Sequence, residues 1–321
     1  MAIAGESLWR PARREILKCM PAALSAGFIA PLSGGPLVEP SLSFPTEARA
    51  RLAVTSYPFR QFLISPKNSG RNPNVPGMDM QAFPAFVAEK FGVLNVNPLI
   101  NHFSSTQPAY LDSFRAALAR ANSHIVDLGL PGGRMYAADS FIRESAVAEG
   151  RKFIDIAVQL GSPSVRLHVN ADKGDKRDVR LAAGSLAIIA EYGAKRNIVI
   201  NLENDDPVAE DPFFLVSVIE NVKNPYLRAL PDFGNSLIGH DAEFNSKAVG
   251  AMLAHAFSMC HVKDTVQGDD GKRSQVDLAN AFELAKKSGY RGYFSMEYET
   301  EPGDPIAGTK QLISETLHYL S

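Results

Sequence analysis

From residue 51 onward, short runs of apolar and β-branched residues alternate with longer amphipathic segments. This alternation is typical of βα units built around a parallel sheet. Eight strands are predicted, at Leu52–Tyr57, Val93–Pro98, His124–Leu130, Ser164–Val169, Ile198–Leu202, Arg228–Pro231, Phe257–Val262 and Tyr293–Tyr298. Eight strands, each followed by an amphipathic segment, predict a (β/α)8 barrel.

The segments between the strands have a helical period. Within Phe141–Leu160, apolar residues recur at spacings of three and four, and charged residues occupy the other positions. Eight helices are predicted, at Asp79–Phe91, Tyr110–Ala121, Phe141–Leu160, Asp178–Lys195, Asp211–Val222, Ser246–His255, Val276–Ser288 and Ile306–Leu320. Glycines such as Gly92 and Gly161 follow helix ends directly and suit left-handed C-terminal caps.

The alternative architecture is an open, doubly wound sheet. That fold binds phosphate with a glycine-rich turn after its first strand, whereas residues 57–61 contain no glycine. The length of residues 51–321 also suits a barrel, which typically takes about 250 residues. The predicted fold class is therefore α/β, a single-domain (β/α)8 TIM barrel over residues 51–321.

The first thirty residues differ from the rest of the chain. Arg13 and Arg14 precede an apolar, alanine-rich stretch, Cys19–Ala30, which contains no acidic residue. This arrangement resembles a twin-arginine export signal, with an amphipathic N-terminal helix as the alternative. The stretch is shorter than the ~20 residues of a membrane span, so we expect cleavage and no permanent anchor. Residues 1–30 are thus interpreted as a signal peptide, 31–50 as a tether, and the mature protein as periplasmic.

The charge and the cysteine count of the chain bear on two questions, whether it binds nucleic acid and whether disulfides stabilise it. A net charge of −2 and a pI near 6.4 give no broad positive field, so we expect no nucleic-acid partner. Cys19 and Cys260 are the two cysteines of the sequence, and removal of the signal peptide would leave one thiol. An internal disulfide is then excluded, and stability must come from core burial.

The ends of the fifth to eighth strands carry the strongest chemical signal. Glu203, Asp232, His261 and Glu297 each stand at one of these ends. Because the carboxyl ends of barrel strands meet at one rim, we expect the four side chains to be neighbours. Three carboxylates and one imidazole suit a divalent cation. Mn²⁺ is the first expectation, with Mg²⁺, Co²⁺ or Zn²⁺ as alternatives.

Each of these residues also has a structural interpretation. A single acidic residue at a strand end is commonly a helix N-cap or a solvated loop residue. Taken together, three carboxylates in one site would be very costly to bury without a cation. The set therefore favours a metal site over four separate structural roles.

The motifs around these residues resemble the xylose isomerase-like barrel superfamily. They are Asn201-Leu202-Glu203-Asn204, Leu230-Pro231-Asp232-Phe233-Gly234-Asn235, His261-Val262-Lys263-Asp264 and Ser295-Met296-Glu297. The single ligand set resembles ketose 3-epimerases and inosose dehydratases more than true xylose isomerases. The resemblance implies a metal-dependent sugar isomerase or epimerase in which Glu203 and Glu297 exchange protons with a carbon next to a carbonyl. It also implies assembly into homo-oligomers.

Several functions remain open at this stage. A lyase or dehydratase of keto-sugars or 3-keto-glycosides would use the same ligands, and a non-catalytic carbohydrate-binding barrel is an alternative of another class. An abasic-site nuclease, which also occurs in the superfamily, is opposed by the mild acidity of the chain. A small carbohydrate is the expected partner in each favoured case.

Five further residues are candidates for substrate contact. They are Lys263, His168, His102, Asn235 and Arg166. Lys263 shares the inward direction of His261, with an ion pair to a rim carboxylate as the alternative. Arg166 lies deeper in its strand, where orienting a carboxylate ligand is an equal alternative. The chain departs from relatives by having Asn97 near a common glutamate position and no histidine soon after Glu203.

Overall fold

Parallel strands alternate with helices in the structure, a computed structural model that describes residues 38–172, 174–268, 271–299 and 303–321. The strands in this part of the chain are β1 (Leu52–Thr55), β2 (Asn95–Asn97), β3 (His124–Ile125), β4 (Leu128–Gly129), β5 (Ser164–Arg166), β6 (Val199–Glu203), β7 (Leu227–Leu230), β8 (Met259–Val262), β9 (Thr265–Gln267), β10 (Arg273–Gln275) and β11 (Tyr293–Met296). The helices are α1 (Phe83–Phe91), α2 (Pro108–Arg120), α3 (Ser140–Leu160), α4 (Val179–Ala194), α5 (Pro212–Val222), α6 (Ala242–Leu253), α7 (Leu278–Lys287) and α8 (Pro305–Leu320).

Strand pairing closes a barrel. One run of parallel strands has the order β3-β2-β1-β11-β8, and the other has the order β4-β5-β6-β7. An isolated parallel bridge between Asp232 and His261 joins the β7 side to β8, and the backbone N–H of His261 donates to Pro231 O at 3.0 Å. The prediction of a (β/α)8 barrel is confirmed.

The third barrel strand was predicted as one strand, His124–Leu130, and this extent is wrong. The structure divides it into two short strands, β3 and β4. The first piece pairs with β2 and the second pairs with β5. Between them, the carbonyl of Asp127 accepts a hydrogen bond from the Asn97 side chain at 3.0 Å. The Asn97 side chain therefore occupies a backbone carbonyl that would otherwise accept a hydrogen bond from a neighbouring strand. The antiparallel hairpin β9–β10, after β8, was not predicted from the sequence.

Helix ends follow the local chemistry of the sequence. Gly92 and Gly161 are left-handed C-caps with φ of 61° and 75°, as predicted. At each of the helices α3–α8, an aspartate side chain accepts a backbone N–H of the first turn. These caps are Asp139, Asp178, Asp211, Asp241, Asp277 and Asp304. Capping by Asp241 starts α6 at Ala242, four residues before the predicted start.

Apolar side chains fill the layer between strands and helices, whereas the barrel axis is polar. Asp127 is fully buried there, and its carboxylate accepts from Ser164 Oγ at 2.5 Å and Asn201 Nδ2 at 2.8 Å. Asn201 also bonds Ser258 Oγ at 2.8 Å. Buried polar groups of this kind hold one another in fixed directions beneath the strand ends.

Residues 38–48 form no helix or strand, yet they contact the barrel. Glu39 pairs with Arg228 at 2.6 Å, and the Phe44 ring lies edge-on to Phe257 and Tyr293. The predicted signal peptide, residues 1–30, and the first part of the predicted tether lie outside the described residues. No described helix is both long enough and apolar enough to cross a membrane.

Candidate active site

Glu203, Asp232, His261 and Glu297 meet in one buried cluster, here called the ligand cluster. One potential ligand atom from each residue lies within 4.8 Å of all the others. Each residue is at most 3% exposed. His261 Nδ1 lies 2.5 Å from Glu203 Oε1 and 3.1 Å from Glu297 Oε2. The strand ends therefore bring these four predicted side chains together.

Asp232 is held by the turn that follows β7. Its Oδ1 accepts the backbone N–H groups of Gly234 and Asn235 at 2.8 and 2.7 Å, and its own N–H donates to Asn204 Oδ1. Its Oδ2 is buried and has no hydrogen-bond partner. The nearest positive group is Lys263 Nζ at 3.4 Å, so Oδ2 still lacks a hydrogen-bond donor and is available to a cation.

The orientation of His261 is set from the other side of its ring. Asn97 donates through Nδ2 to Asp127 O, so its Oδ1 faces His261 Nε2 at 3.0 Å. An amide oxygen only accepts, and Nε2 must therefore carry the proton. The lone pair of the neutral imidazole is then on Nδ1, which faces the carboxylates of Glu203 and Glu297.

The charges of the cluster perturb one another strongly. Burial opposes the charge on His261, but Glu203 and Glu297 raise its pKa well above 6.5. Burial, with Glu203 and Glu297, raises the pKa of Asp232 to about 7, and Lys263 only partly offsets this rise. Despite burial, His261 and Lys263 lower the pKa of Glu297 to about 2. Without a cation, a proton on His261 Nδ1 takes the position between the carboxylates.

The donor set fits a divalent cation. Three carboxylates and a neutral imidazole are suitable ligands for Mn²⁺, Mg²⁺, Co²⁺ or Zn²⁺. Asp232 Oδ2 supplies an oxygen that accepts no hydrogen bond, and the neutral His261 imidazole supplies a lone pair on Nδ1. These four residues could therefore hold a divalent metal ion.

Asn97→Leu is expected to lower affinity for Mn²⁺ about 10–100-fold, since His261 loses the acceptor that fixes its tautomer. Titration of Mn²⁺ into chelator-treated protein measures this change. Asn95→Leu is the matched control, because Asn95 lies on the same strand and donates only to backbone carbonyls of residues 50 and 52. Equal affinity losses in the two variants would mean that Asn97 acts through strand stability alone.

A second layer of polar side chains lies one step beyond the ligand cluster. Asp205, Asn235, Lys263 and Glu299, here called the outer ring, each follow a ligand by two or three residues. Lys263 is only 2% exposed, and its Nζ lies 2.9 Å from Glu299 Oε2 and 2.8 Å from Asn235 Oδ1. Asn235 Nδ2 reaches Asp205 Oδ1 at 3.3 Å. Hydrogen bonds thus connect the ring above the metal ligands.

Lys263 also faces the ligand cluster itself. Its Nζ lies 3.4 Å from Asp232 Oδ2 and 3.4 Å from Glu297 Oε2. Although burial disfavours the ammonium, the surrounding carboxylates raise the pKa of Lys263 well above 10.5. A permanent cation therefore stands between the metal ligands and the outer ring.

The structure also places the remaining substrate-contact candidates. Arg166 Nη1 lies 2.5 Å from Glu203 Oε2, so this guanidinium orients a predicted metal ligand. His168 Nδ1 lies 3.0 Å from both carboxylate oxygens of Glu210. His102 is 4% exposed, and its Nδ1 lies 2.8 Å from Ser56 Oγ. Among the described contacts, those of His102 do not include the ligand cluster.

His102 gives a prediction for stability against pH. Burial, followed by Arg60 and Arg166, lowers the pKa of His102 to about 4. Between pH 6.5 and 4, His102 is protonated in the unfolded chain and neutral in the folded chain. The free energy of unfolding therefore falls as the pH decreases. The loss is about 3 kcal/mol at full extent. Denaturant unfolding at pH 7 and pH 4 measures this loss. His102→Gln should lose less unfolding free energy than wild type between these pH values, and the exposed-site control His124→Gln should lose as much as wild type.

Three functional candidates were missed by the sequence analysis, namely Asn97 as the partner of His261, Glu210 as the partner of His168, and Glu299 as the partner of Lys263. Glu299 had a local signal, because it follows Glu297 by two residues, and residues two apart in an extended segment point in the same direction. The other two had none, since their partners are 164 and 42 residues away along the chain.

Comparison with known proteins shows the family to which the chain belongs. A family model described as "Xylose isomerase-like TIM barrel" matches residues 88–320. The chain therefore belongs to the xylose isomerase-like TIM barrel family, as the sequence motifs indicated.

A curated protein also matches part of the chain. The chain is 24% identical over 186 residues to SgbU of Haemophilus influenzae, named as an L-ribulose-5-phosphate 3-epimerase. That match covers 52% of this chain and 62% of the relative, so the chain spans less than two thirds of the relative's length.

Two solved structures share the fold. A xylose isomerase-like TIM barrel protein from Mycobacterium smegmatis, in complex with magnesium, has a TM-score of 0.64 at 18% identity, over 84% of this chain and 96% of that one. The 3-keto-D-glucoside 4-epimerase YcjR of E. coli has a TM-score of 0.60 at 11% identity, over 83% and 98%. SgbU and YcjR are named as sugar epimerases, which agrees with the class of enzyme expected from the sequence.

Proposed function

We propose that this protein is a metal-dependent sugar epimerase or isomerase that acts by proton transfer at a carbon next to a carbonyl. The ligand cluster is the main support for this function, because two glutamates, an aspartate and a histidine face one buried point. Mn²⁺ is the proposed metal, and Mg²⁺ is the first alternative, since the M. smegmatis relative was solved in complex with magnesium.

The residues in and around the ligand cluster would have different roles, namely metal binding, proton transfer and positioning of the carboxylates. A divalent cation held there would polarise a sugar carbonyl and so acidify the neighbouring carbon. Glu203 and Glu297 project from non-adjacent strands, β6 and the end of β11, and each can exchange a proton with that carbon. Arg166 and Lys263 hold these carboxylates in place. Removal from one face and return to the other gives epimerisation.

We propose further that the substrate is an uncharged sugar, although SgbU is named for a sugar phosphate. Barrels of this kind bind phosphate at helix N-termini beside the strand ends. At each of α3–α8 an aspartate side chain already accepts one or two of those N–H groups, and its negative charge would repel an added anion. The outer ring, with one lysine and two acidic residues, offers no net positive charge.

The test is exchange of carbon-bound protons with deuterated solvent, followed by NMR. Chelator-treated protein is supplied with Mn²⁺ or Mg²⁺ and incubated with free ketoses, 3-keto-glycosides and ketose 5-phosphates. The proposal predicts metal-dependent exchange on the uncharged sugars and at least tenfold slower exchange on the phosphates. Metal-independent exchange, or no exchange on any sugar, would overturn the catalytic assignment. Faster exchange on phosphates would overturn the choice of an uncharged substrate.

A further inference from the structure

A second group of titratable residues lies beside the ligand cluster. His168, Asp205 and Glu210 place one nitrogen and two carboxylate oxygens within 4.8 Å of one another. His168 Nδ1 faces both oxygens of Glu210 at 3.0 Å, whereas its Nε2 lies 3.6 Å from Asp205 Oδ2, beyond hydrogen-bonding distance. The proposed function uses neither His168 nor Glu210.

Glu210 is fixed as a rigid support for the imidazole. Its side chain is 3% exposed, Oε1 accepts the N–H of Val169 at 2.5 Å, and Oε2 accepts the N–H of Asp206 at 3.2 Å. With both oxygens committed, Glu210 can only orient the Nδ1–H of His168 and favour its protonated form. A buried carboxylate that aligns an imidazole is the arrangement of an acid–base histidine.

The position of His168 relative to the ligand cluster follows from Arg166, which contacts Glu203. Arg166 and His168 are two residues apart in an extended segment that continues to a bridge at Val169, so their side chains share one direction. Arg166 lies at the level of Glu203, which it contacts. His168 is then about 6–7 Å farther out, roughly the width of a sugar ring.

From this geometry we propose that His168, held by Glu210, is a second catalytic site that protonates an oxygen leaving the substrate, so that the protein is also a lyase of keto-glycosides. This inference rests on the proposed function, because the ligand cluster must first remove the proton next to the carbonyl.

The elimination balances without an added oxidant or reductant. In a 3-keto-glycoside, Glu203 or Glu297 takes the proton from C2, and the electrons of that bond form the C1–C2 double bond. The bond from C1 to the glycosidic oxygen breaks, and its electron pair stays on the oxygen. His168 Nε2 donates a proton to this oxygen, which departs as an alcohol. Proton return through solvent restores both groups.

The charges around His168 suit a proton donor. Burial and the neighbouring Arg166 oppose its charge, but Glu210 and Asp205 outweigh them and raise the pKa of His168 above 6.5. This direction favours the protonated imidazole, with Nδ1–H directed to Glu210 and Nε2–H on the side of Asp205.

Leaving-group dependence tests the proposal. Wild type, His168→Asn and Glu210→Gln are loaded with Mn²⁺ and given methyl 3-keto-glucoside or 4-nitrophenyl 3-keto-glucoside. Methoxide needs a proton to leave, whereas 4-nitrophenolate does not. We expect both variants to release methanol about 10²–10⁴-fold more slowly than wild type, with release of 4-nitrophenol and C2 exchange changed less than tenfold. The rim control His240→Asn should match wild type, since His240 is stacked on Phe244.

The outcomes separate this inference from the proposed function. Wild type that exchanges the C2 proton but releases neither alcohol would overturn the lyase assignment and leave the epimerase assignment standing. Equal losses of methanol release, nitrophenol release and exchange in His168→Asn would show a structural role and also overturn it. Absence of C2 exchange in metal-loaded wild type would be a failure of the proposed function itself.

Discussion

Glu203→Gln and Glu297→Gln are each expected to slow epimer conversion by about 10²–10⁴-fold, because either change removes the proton-transfer group on one face of the substrate. Hydrogen exchange should behave differently. Each variant should still exchange the proton of the epimer that presents it to the remaining glutamate. The two variants should therefore retain exchange for opposite epimers, each without conversion.

NMR in deuterated solvent measures both quantities on a purified pair of epimers. Mn²⁺ must be saturating for each variant, as judged from its own titration, since both glutamates are also proposed ligands. Loss of exchange for both epimers in both variants, with metal still bound, would contradict the division of the two faces between Glu203 and Glu297.

Lys263→Met is expected to destabilise the metal-free protein by about 3–5 kcal/mol. The ammonium lies within 3.4 Å of carboxylates from Asp232, Glu297 and Glu299, and it is 2% exposed. Removing one partner of a buried charge group leaves the others uncompensated. Denaturant unfolding of chelator-treated protein measures the loss. Added Mn²⁺ should recover part of it, because the cation neutralises the same carboxylates.

Lys247→Met is the matched control for this change. Lys247 forms an exposed ion pair with Glu243 one turn away on α6, at 2.7 Å, and pairs of this kind contribute at most about 1 kcal/mol. A loss for Lys263→Met no greater than that for Lys247→Met would mean that the buried ammonium does not balance the cluster.

The strand ends explain why much of the site could be predicted from the sequence. A parallel barrel directs the carboxyl ends of its strands to one rim, so Glu203, Asp232, His261 and Glu297 needed only a correct strand pattern to be grouped. Helix bounds were predictable for a similar reason, since Asp211 and Gly161 are local start and stop signals that act within one turn.

Contacts between distant segments could not be predicted in this way. The break between β3 and β4 lies where the Asn97 side chain bonds Asp127 O, a contact across 30 residues. The pairing of His168 with Glu210 depends on how the loop after β6 folds back over β5. Alternation within a strand gives the direction of a side chain, but it does not name the group that the side chain meets.

Anomalous X-ray diffraction at the manganese edge, from crystals grown with Mn²⁺, is the most direct test of the metal centre. We expect one strong peak about 2.0–2.3 Å from His261 Nδ1 and from one oxygen each of Glu203, Asp232 and Glu297. A peak between His168, Asp205 and Glu210 instead, or no peak in the ligand cluster, would show that these four residues do not form the metal site.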